Sequence, residues 1–337
     1  MSVARPTAPV PSGPSRAPSA AAARRTERDV AVKAALDLVR ARADLAARRA
    51  ADPVEFVHRQ RTREDREIVA LIAASCAFGN VKAIRTKLTE LLDRVGPHPA
   101  RAADDPAAIF ASLNGFKHRL FRGEDLAKLI IGARRVQVAA GSLGSAFHRE
   151  LARVDRERSA DEPEARVREA LASFCDRIRA EGGLPKPGEA DPSGRRGPAH
   201  LLSDARAGSA AKRLLLFMRW MVRPADGIDL GMWKVPALRL LIPVDVHIHK
   251  LSRNLGLTKR RDLSWKTSVE ITRALARLDP DDPTRYDFSL CHMGMVQRCP
   301  SRPDAARCEG CGVRPVCVHW RKPAANLARR KPAATSA

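Results

Sequence analysis

No stretch of the chain is apolar for long enough to cross a bilayer. The longest apolar run, around Leu214 to Val222, is interrupted by Arg219. The N-terminal region lacks the apolar centre of a secretion signal, although an arginine-rich, acid-poor start can mimic an organelle transit peptide. Acidic side chains are in short supply: 38 Asp and Glu face 61 Lys and Arg, a formal charge of +23. That balance points to polyanions, with nucleic acid as the first partner class and an anionic membrane surface as the second. There is no alternating pattern that reads as a strand hairpin and no internal repeat. The 337 residues are therefore expected to form an all-α protein with room for an ample core.

What is present is helical. Residues 1–27 are expected to be a disordered basic arm, and residues 321–337 a disordered basic tail. Between them, 28–320 is expected to be one helical domain. Helices are predicted over residues 29–50, 64–78, 81–95, 124–140, 144–154 and 162–181. Residues 182–200 are Gly, Pro and charge without periodicity, and read as an inserted loop. Residues 212–222 form a helix that is apolar almost all round and belongs in a core. Further helices are expected after Ser264, to 278, and after Pro283, to 293.

The stretch Pro243-Val244-Asp245-Val246-His247-Ile248-His249 opens another helix. Ile248, Leu251 and Leu255 share one face, and Gly256 is a left-handed stop. Asp245 sits at the helix start, where the dipole favours its charge and where it can also be an ordinary cap. His247 and His249, two apart on a helix, face different ways and make a poor metal pair; His247 is the better hydrogen-bonding or phosphate contact.

The seven cysteines divide unevenly. Cys76, Cys175 and Cys291 lie in helical, mostly apolar contexts and read as small buried hydrophobes. The other four follow the spacing Cys299-x8-Cys308-x2-Cys311-x5-Cys317. Four thiolates inside one short loop, without a secretion signal, read as a metal centre. One long arm, one tight pair and one medium arm fit a [4Fe–4S] cluster better than the paired knuckles common for structural zinc. Arg298, Arg302, Arg307 and Arg314 would make that loop a phosphate-binding surface.

Together these segments resemble the helix-hairpin-helix DNA glycosylase superfamily of endonuclease III and adenine glycosylase, over roughly residues 50 to 320. The Asp245 segment resembles its V-D-T-H-V, whose Asp is catalytic. The Cys299 to Cys317 loop resembles its terminal iron–sulfur loop, with a first gap two residues longer. Residues 67–80 resemble the helix and turn that plug the duplex, which would make Phe78, Gly79 and Asn80 the wedge. Phe116-Lys117-His118-Arg119 falls where the superfamily has Y-x-x-K-A, placing Lys117 and Arg119 against DNA. Gly208-Ser209-Ala210-Ala211-Lys212 resembles the G-x-G-x-K hairpin with Ala210 for the second glycine. Lys212 then lies 33 residues ahead of Asp245, a spacing similar to the archaeal oxoguanine glycosylase branch. The whole chain resembles more closely a bacterial family of uncharacterised function that shares K-R-x-x-x-F-x-R-W-M-V and P-x-D-x-H.

The resemblance implies a two-lobed fold and a DNA-repair enzyme, cytoplasmic, nucleoid-associated and monomeric, acting on damaged double-stranded DNA. In that reading Lys212 attacks C1′ and forms a Schiff base, while Asp245 stabilises positive charge on the sugar. Burial against Leu214, Leu215 and Phe217 would help keep the amine neutral. Gly208, Arg213 and His247 would contact phosphate; Lys212 could also be one more such cation. The damaged base would be flipped out of the duplex, with Trp233 as a stacking platform and Trp220 and Trp265 in the core. The rival readings are a monofunctional glycosylase using water and a non-catalytic DNA binder of the same fold.

Overall fold

A computed structural model describes residues 20–296, 298–300 and 302–320. The element order is α1 (Ala20–Ala41), α2 (Leu45–Ala50), α3 (Glu55–His58), α4 (Arg63–Cys76), α5 (Val81–Val95), α6 (Pro99–Ala102), α7 (Pro106–Ser112), β1 (Lys117–His118), β2 (Phe121–Arg122), α8 (Gly123–Ala140), α9 (Leu143–Glu157), α10 (Pro163–Gly182), α11 (Lys212–Val222), α12 (Val246–Leu255), α13 (Trp265–Ala276) and α14 (Asp287–Val296). Short 3-10 turns occupy Pro198–His200, Ala205–Ala207, Ala237–Arg239 and Arg314–Val316. The fold is all-α, apart from one correction: β1 and β2 form a two-stranded antiparallel hairpin that the side-chain pattern did not announce. With two residues per strand there is no alternation to read.

Local chemistry explains most boundaries. Thr62 caps α4, Asn80 caps α5, Ser142 caps α9 and Ser264 caps α13, each accepting from a backbone N–H of the first turn. Gly141, Gly183 and Gly256 end α8, α10 and α12 in the left-handed region. A second correction concerns the N-terminus. The helix begins at Ala20, so residues 20–27, expected in the arm, are helical. Residues 1–19 and 321–337 lie outside the described residues. The inserted loop after α10 is held in place: Arg195 pairs with Glu124 and Asp125 at the start of α8 and with Asp191 of its own loop.

Two hydrophobic cores result. The first gathers α3 to α11, from Val54 to Leu241, with Trp265 and Phe288 joining from later in the chain. The second joins Val32 and Leu36 of α1 to α12, α13 and α14 and to Val313 and Val316. In the first core α8 and α10 cross very closely: a Cβ on Gly132 would lie 2.3 Å from the Ile178 carbonyl, and one on Gly182 2.2 Å from that of Lys128.

One buried carboxylate ties the first core together. Glu67 of α4 is fully buried. It accepts from Gln137 Nε2 of α8 (2.9 Å), from the Leu143 and Gly144 amides at the start of α9 (2.8 and 3.1 Å) and from Trp233 Nε1 (2.8 Å). The α9 helix start favours the charge, and the donors replace water. Trp233 is therefore no stacking platform: it is 3% exposed and stacks on Phe147 at 5.8 Å. Glu67→Ala leaves the Leu143, Gly144 and Trp233 N–H groups without that acceptor, each costing about 1 kcal/mol or more, while Gln137 Nε2 keeps its bond to the Glu64 carbonyl. The expected loss is on the order of 3 kcal/mol, read as a lower urea midpoint; an unchanged midpoint would remove Glu67 from this role.

Candidate active site at the seam of the two cores

Lys212 is the first residue of α11. The chain reaches it through a turn in which Gly208 has φ +81° and Ala211 φ +44°. Trp265 N donates to the Gly208 carbonyl at 3.0 Å, and Ser209 bridges to Ser264. Ala210, at the place of the second hairpin glycine, is not among the positive-φ residues, so a side chain is tolerated there. It is buried in the second core, and Ala211 in the first. The chain thus crosses from one core to the other immediately before Lys212. The Lys212 side chain is half-buried and makes no hydrogen bond or ion pair with the described residues.

Asp245 is the N-cap of α12 and more than a cap. Its Oδ1 accepts from the His247 and Ile248 amides, both at 2.9 Å. Its Oδ2 is turned towards Cys291 Sγ of α14, 3.7 Å away. One helical turn earlier on α14 stands Asp287, 3% exposed. Its Oδ2 accepts from Arg219 Nη1, and its Oδ1 is buried with no partner among the described residues.

Electrostatics place the four groups in one neighbourhood. Burial pushes the Asp287 carboxyl up to about 6; Asp245 adds to the rise, while Arg219 and Lys212 oppose it. Burial, then Asp245 and Asp287, raise the Cys291 thiol well above its ordinary range, with Lys212 again opposing. Lys212 and Asp245 thus act on the same two buried groups, from opposite cores. Cys291 packs against the second core as expected of it, and differs from Cys76 and Cys175, each pushed up to about 12 by burial, in facing the Asp245 carboxylate. Arg219 is the keystone beneath. It is 2% exposed and pairs with Asp229 at 3.1 Å as well as with Asp287. Asp287 and Asp229 are not singled out by the sequence, and Cys291 only as a small buried hydrophobe. The available signals were an arginine inside an apolar helix, which requires buried acids, and the i, i+4 spacing of Asp287 and Cys291.

The expected DNA-contacting residues fall into two groups. Asn80, Lys117, Arg119, Gly208, Arg302 and Arg307 are exposed, although Asn80 spends its oxygen capping α5 and Arg307 pairs with Asp304 at 3.5 Å. His247 is half-exposed beside Gly294. His249 instead contacts the Arg260 carbonyl at 3.0 Å, so the two histidines form no pair. Phe78 and Arg213 are built into the protein. Phe78 meets His118 and Phe121 edge-on at 5.5 and 5.4 Å, with the Arg119 and Arg213 guanidinium groups at 5.4 and 5.2 Å. Arg213 donates to the carbonyls of Ser75 and His200. Its guanidinium is committed to those carbonyls, which corrects the expectation of a free phosphate contact.

Cys299, Cys308, Cys311 and Cys317 line a single pocket under α12. None is in a disulfide. Asn254 Nδ2 donates to Cys299 Sγ at 3.3 Å, and Lys250 Nζ to the Cys299 carbonyl at 3.0 Å. Burial raises the Cys299 thiol, and its three neighbours raise it further. Among the described residues, no three of the four sulfurs lie within 4.8 Å of one another. In a tetrahedral zinc site with Zn–S near 2.3 Å, sulfurs sit about 3.8 Å apart. The donor set is all-thiol, and its spread is wider than a single ion would draw together.

The raised Asp287 carboxyl has a measurable sign. Its contribution to stability is fully present below the ordinary carboxylate range, near pH 4, and is lost as pH rises through about 6. Relative to Asp287→Asn, the wild-type protein should lose on the order of 2–3 kcal/mol between pH 4 and pH 7. Denaturant titrations of both proteins across that range check it; parallel curves would contradict the assignment.

A family model matches residues 52–296, well over half of the chain and the whole of the Lys212, Asp245 and Asp287 region. The α1 helix and the four-cysteine loop lie outside the matched segment. No curated protein and no solved structure gives a significant match. On the strength of that span, the chain belongs to the family described as "Protein of unknown function (DUF2400)".

Proposed function

We propose that this protein is a DNA-repair N-glycosylase with AP-lyase activity, removing a damaged base through Lys212 and Asp245. The observation that carries the reading is that both groups act on the same buried pair, Asp287 and Cys291, at the seam of two cores: an amine without a partner among the described residues, and a carboxylate whose Oδ2 accepts a long bond from the Cys291 thiol. Hydrolysis of an N-glycosidic bond builds positive charge on the sugar. The Oδ2 oxygen of Asp245 stabilises that charge, and the cap bonds of Oδ1 hold the carboxylate in place without a cost of reorganisation. The Lys212 amine attacks C1′ as the base departs, giving a Schiff base and then β-elimination at the 3′ phosphate. Lys212 must first give up a proton. Asp287 supports this reading, because its Oδ1 has no partner among the described residues and its carboxyl, raised to about 6, is a better proton acceptor than an ordinary carboxylate.

The two-lobed arrangement supports the helix-hairpin-helix resemblance, as does the Gly208 turn leading into Lys212. The exposed cations Lys117, Arg119, Arg302 and Arg307 suit duplex DNA as partner. No helix among the described residues is long and apolar enough to cross a membrane. The four cysteines fit a [4Fe–4S] cluster, on their all-thiol donor chemistry, their shared pocket and their spacing along the chain, better than zinc. A bound cluster would supply a rigid loop beneath α12 and leave the chemistry to Lys212 and Asp245.

Borohydride trapping on abasic-site DNA is the direct test. Wild-type protein should form a covalent adduct, and Lys212→Ala should trap less by at least about 100-fold. Asp245→Asn should bind the same DNA and turn it over about 100- to 1,000-fold more slowly. Equal trapping by wild type and Lys212→Ala would end the lyase reading; base release without trapping would identify water as the nucleophile.

The cofactor has its own measurement. Anaerobically purified protein should be brown, absorb broadly near ~400 nm and hold about four irons per chain. Cys308→Ser should lose the band. A colourless protein carrying one zinc would reverse the assignment.

A further inference from the structure

At the far end of α12 from Asp245 lies a cleft of about 910 Å³. It is bounded by α1, by the loop after Gly256 and by α13. The ten residues of α12 separate the two places by about 15 Å. The floor is apolar, formed by Val32, Leu255, Leu257, Val269 and Ala274. The rim carries six cations against Asp29 and Glu270. Three of the six are engaged. Arg28 donates to the Leu255 carbonyl, Arg273 pairs with Glu162 and Glu164, and Arg277 pairs with Asp29 at 2.9 Å. The side chains of Arg25, Lys259 and Lys266 are exposed and have no hydrogen-bond or ion-pair partner among the described residues.

Unpaired cations around an apolar floor suit a ligand with phosphates and flat or sugar-like apolar faces. Position selects the form of that ligand. The exposed turn at Gly208 and Ser209 is bonded to Ser264 and Trp265, the residues directly before Lys266. The turn that leads to Lys212 is thus joined to the start of α13, one residue before the cleft-lining Lys266, and a strand that leaves the turn along this path is carried on towards Lys259 and Arg25. We propose that this cleft is a second phosphate-binding track, which holds the DNA strand flanking the Lys212–Asp245 site. It depends on α1, which lies outside the family-matched segment. The inference takes DNA as the partner from the function proposed above, and needs no catalysis.

Binding to undamaged duplex tests it separately from turnover. Fluorescence anisotropy would compare a duplex of roughly 10 base pairs with one of roughly 20, over a range of salt. For wild type the longer duplex should show the steeper log–log salt slope. In Lys259→Gln/Lys266→Gln that slope should fall by about 2, while the short duplex binds as before. Adding Arg25→Gln should lower it further, by about 1. Thermal melting of the variants checks that these exposed changes leave the fold intact. Equal losses on both duplexes, or no change on the longer one, would overturn the track. So would tight binding of free ATP that the double variant abolishes while the salt slope stays put, since that result marks a nucleotide pocket instead. Failure of borohydride trapping with the length-dependent slope intact would remove the lyase reading and leave the track standing.

Discussion

A guanidinium held where water cannot reach it is the constraint on which the geometry of the candidate site rests. Arg219 sits in the middle of α11, among Leu215, Met218 and Trp220, and its charge has to be met from inside. Asp229 meets it from the connector after α11, and Asp287 from the first turn of α14. Taking three charged groups out of water is expensive, and removing any one leaves the others uncompensated. What the arrangement secures is registry. The Asp287 contact pins α14, an element of the second core, to α11, an element of the first. Lys212 stands at the start of α11 and Cys291, which meets Asp245, one turn along α14, so the same contact fixes the helix that carries the amine against the helix that meets the carboxylate. Arg223 extends the network by pairing with Asp226, Asp229 and Asp282.

The helix α12 does comparable work in the second core. Its first residues carry the site through the cap at Asp245. Its polar side reaches the cysteine loop through Lys250 and Asn254, and Val318 N returns a bond to the Asn254 carbonyl at 2.7 Å. Its end accepts Arg28 of α1. One short helix therefore has the proposed catalytic carboxylate, the thiol pocket and the basic cleft as neighbours. Ile248, Leu251 and Leu255 bury the opposite face. The apolar stripe fixes the rotation of the helix, and that rotation decides which polar residue meets which partner.

Legibility in the sequence followed the range of the interaction concerned. α5 and α11 lie where the residue pattern put them, because caps, glycine stops and apolar periodicity act within a few residues. Asp245 at a helix start and Gly256 at its end were readable for the same reason. The start of α1 was not. Its alanines have high helix propensity, but the stretch has too few apolar residues to signal packing. The role of Trp233 was hidden because its partner, Glu67, is 166 residues away. Asp287 escaped notice because what distinguishes it is burial beside Arg219 and Asp245, and neither is near it in sequence. The commitment of Arg213 to two carbonyls was equally unreadable, since a lysine–arginine pair at a helix start looks the same whether its charges are free or used.

The turn before Lys212 has a consequence for motion. Ala211 holds a left-handed conformation that costs a non-glycine residue on the order of 1 kcal/mol, and its methyl group is locked in the first core. Glycine in its place would relieve the strain but leave the helix entry free to swivel. With alanine the backbone under the lysine is immobilised on both sides. Whatever reach the amine needs must come from the four methylenes of its side chain, a short tether swinging from a fixed root.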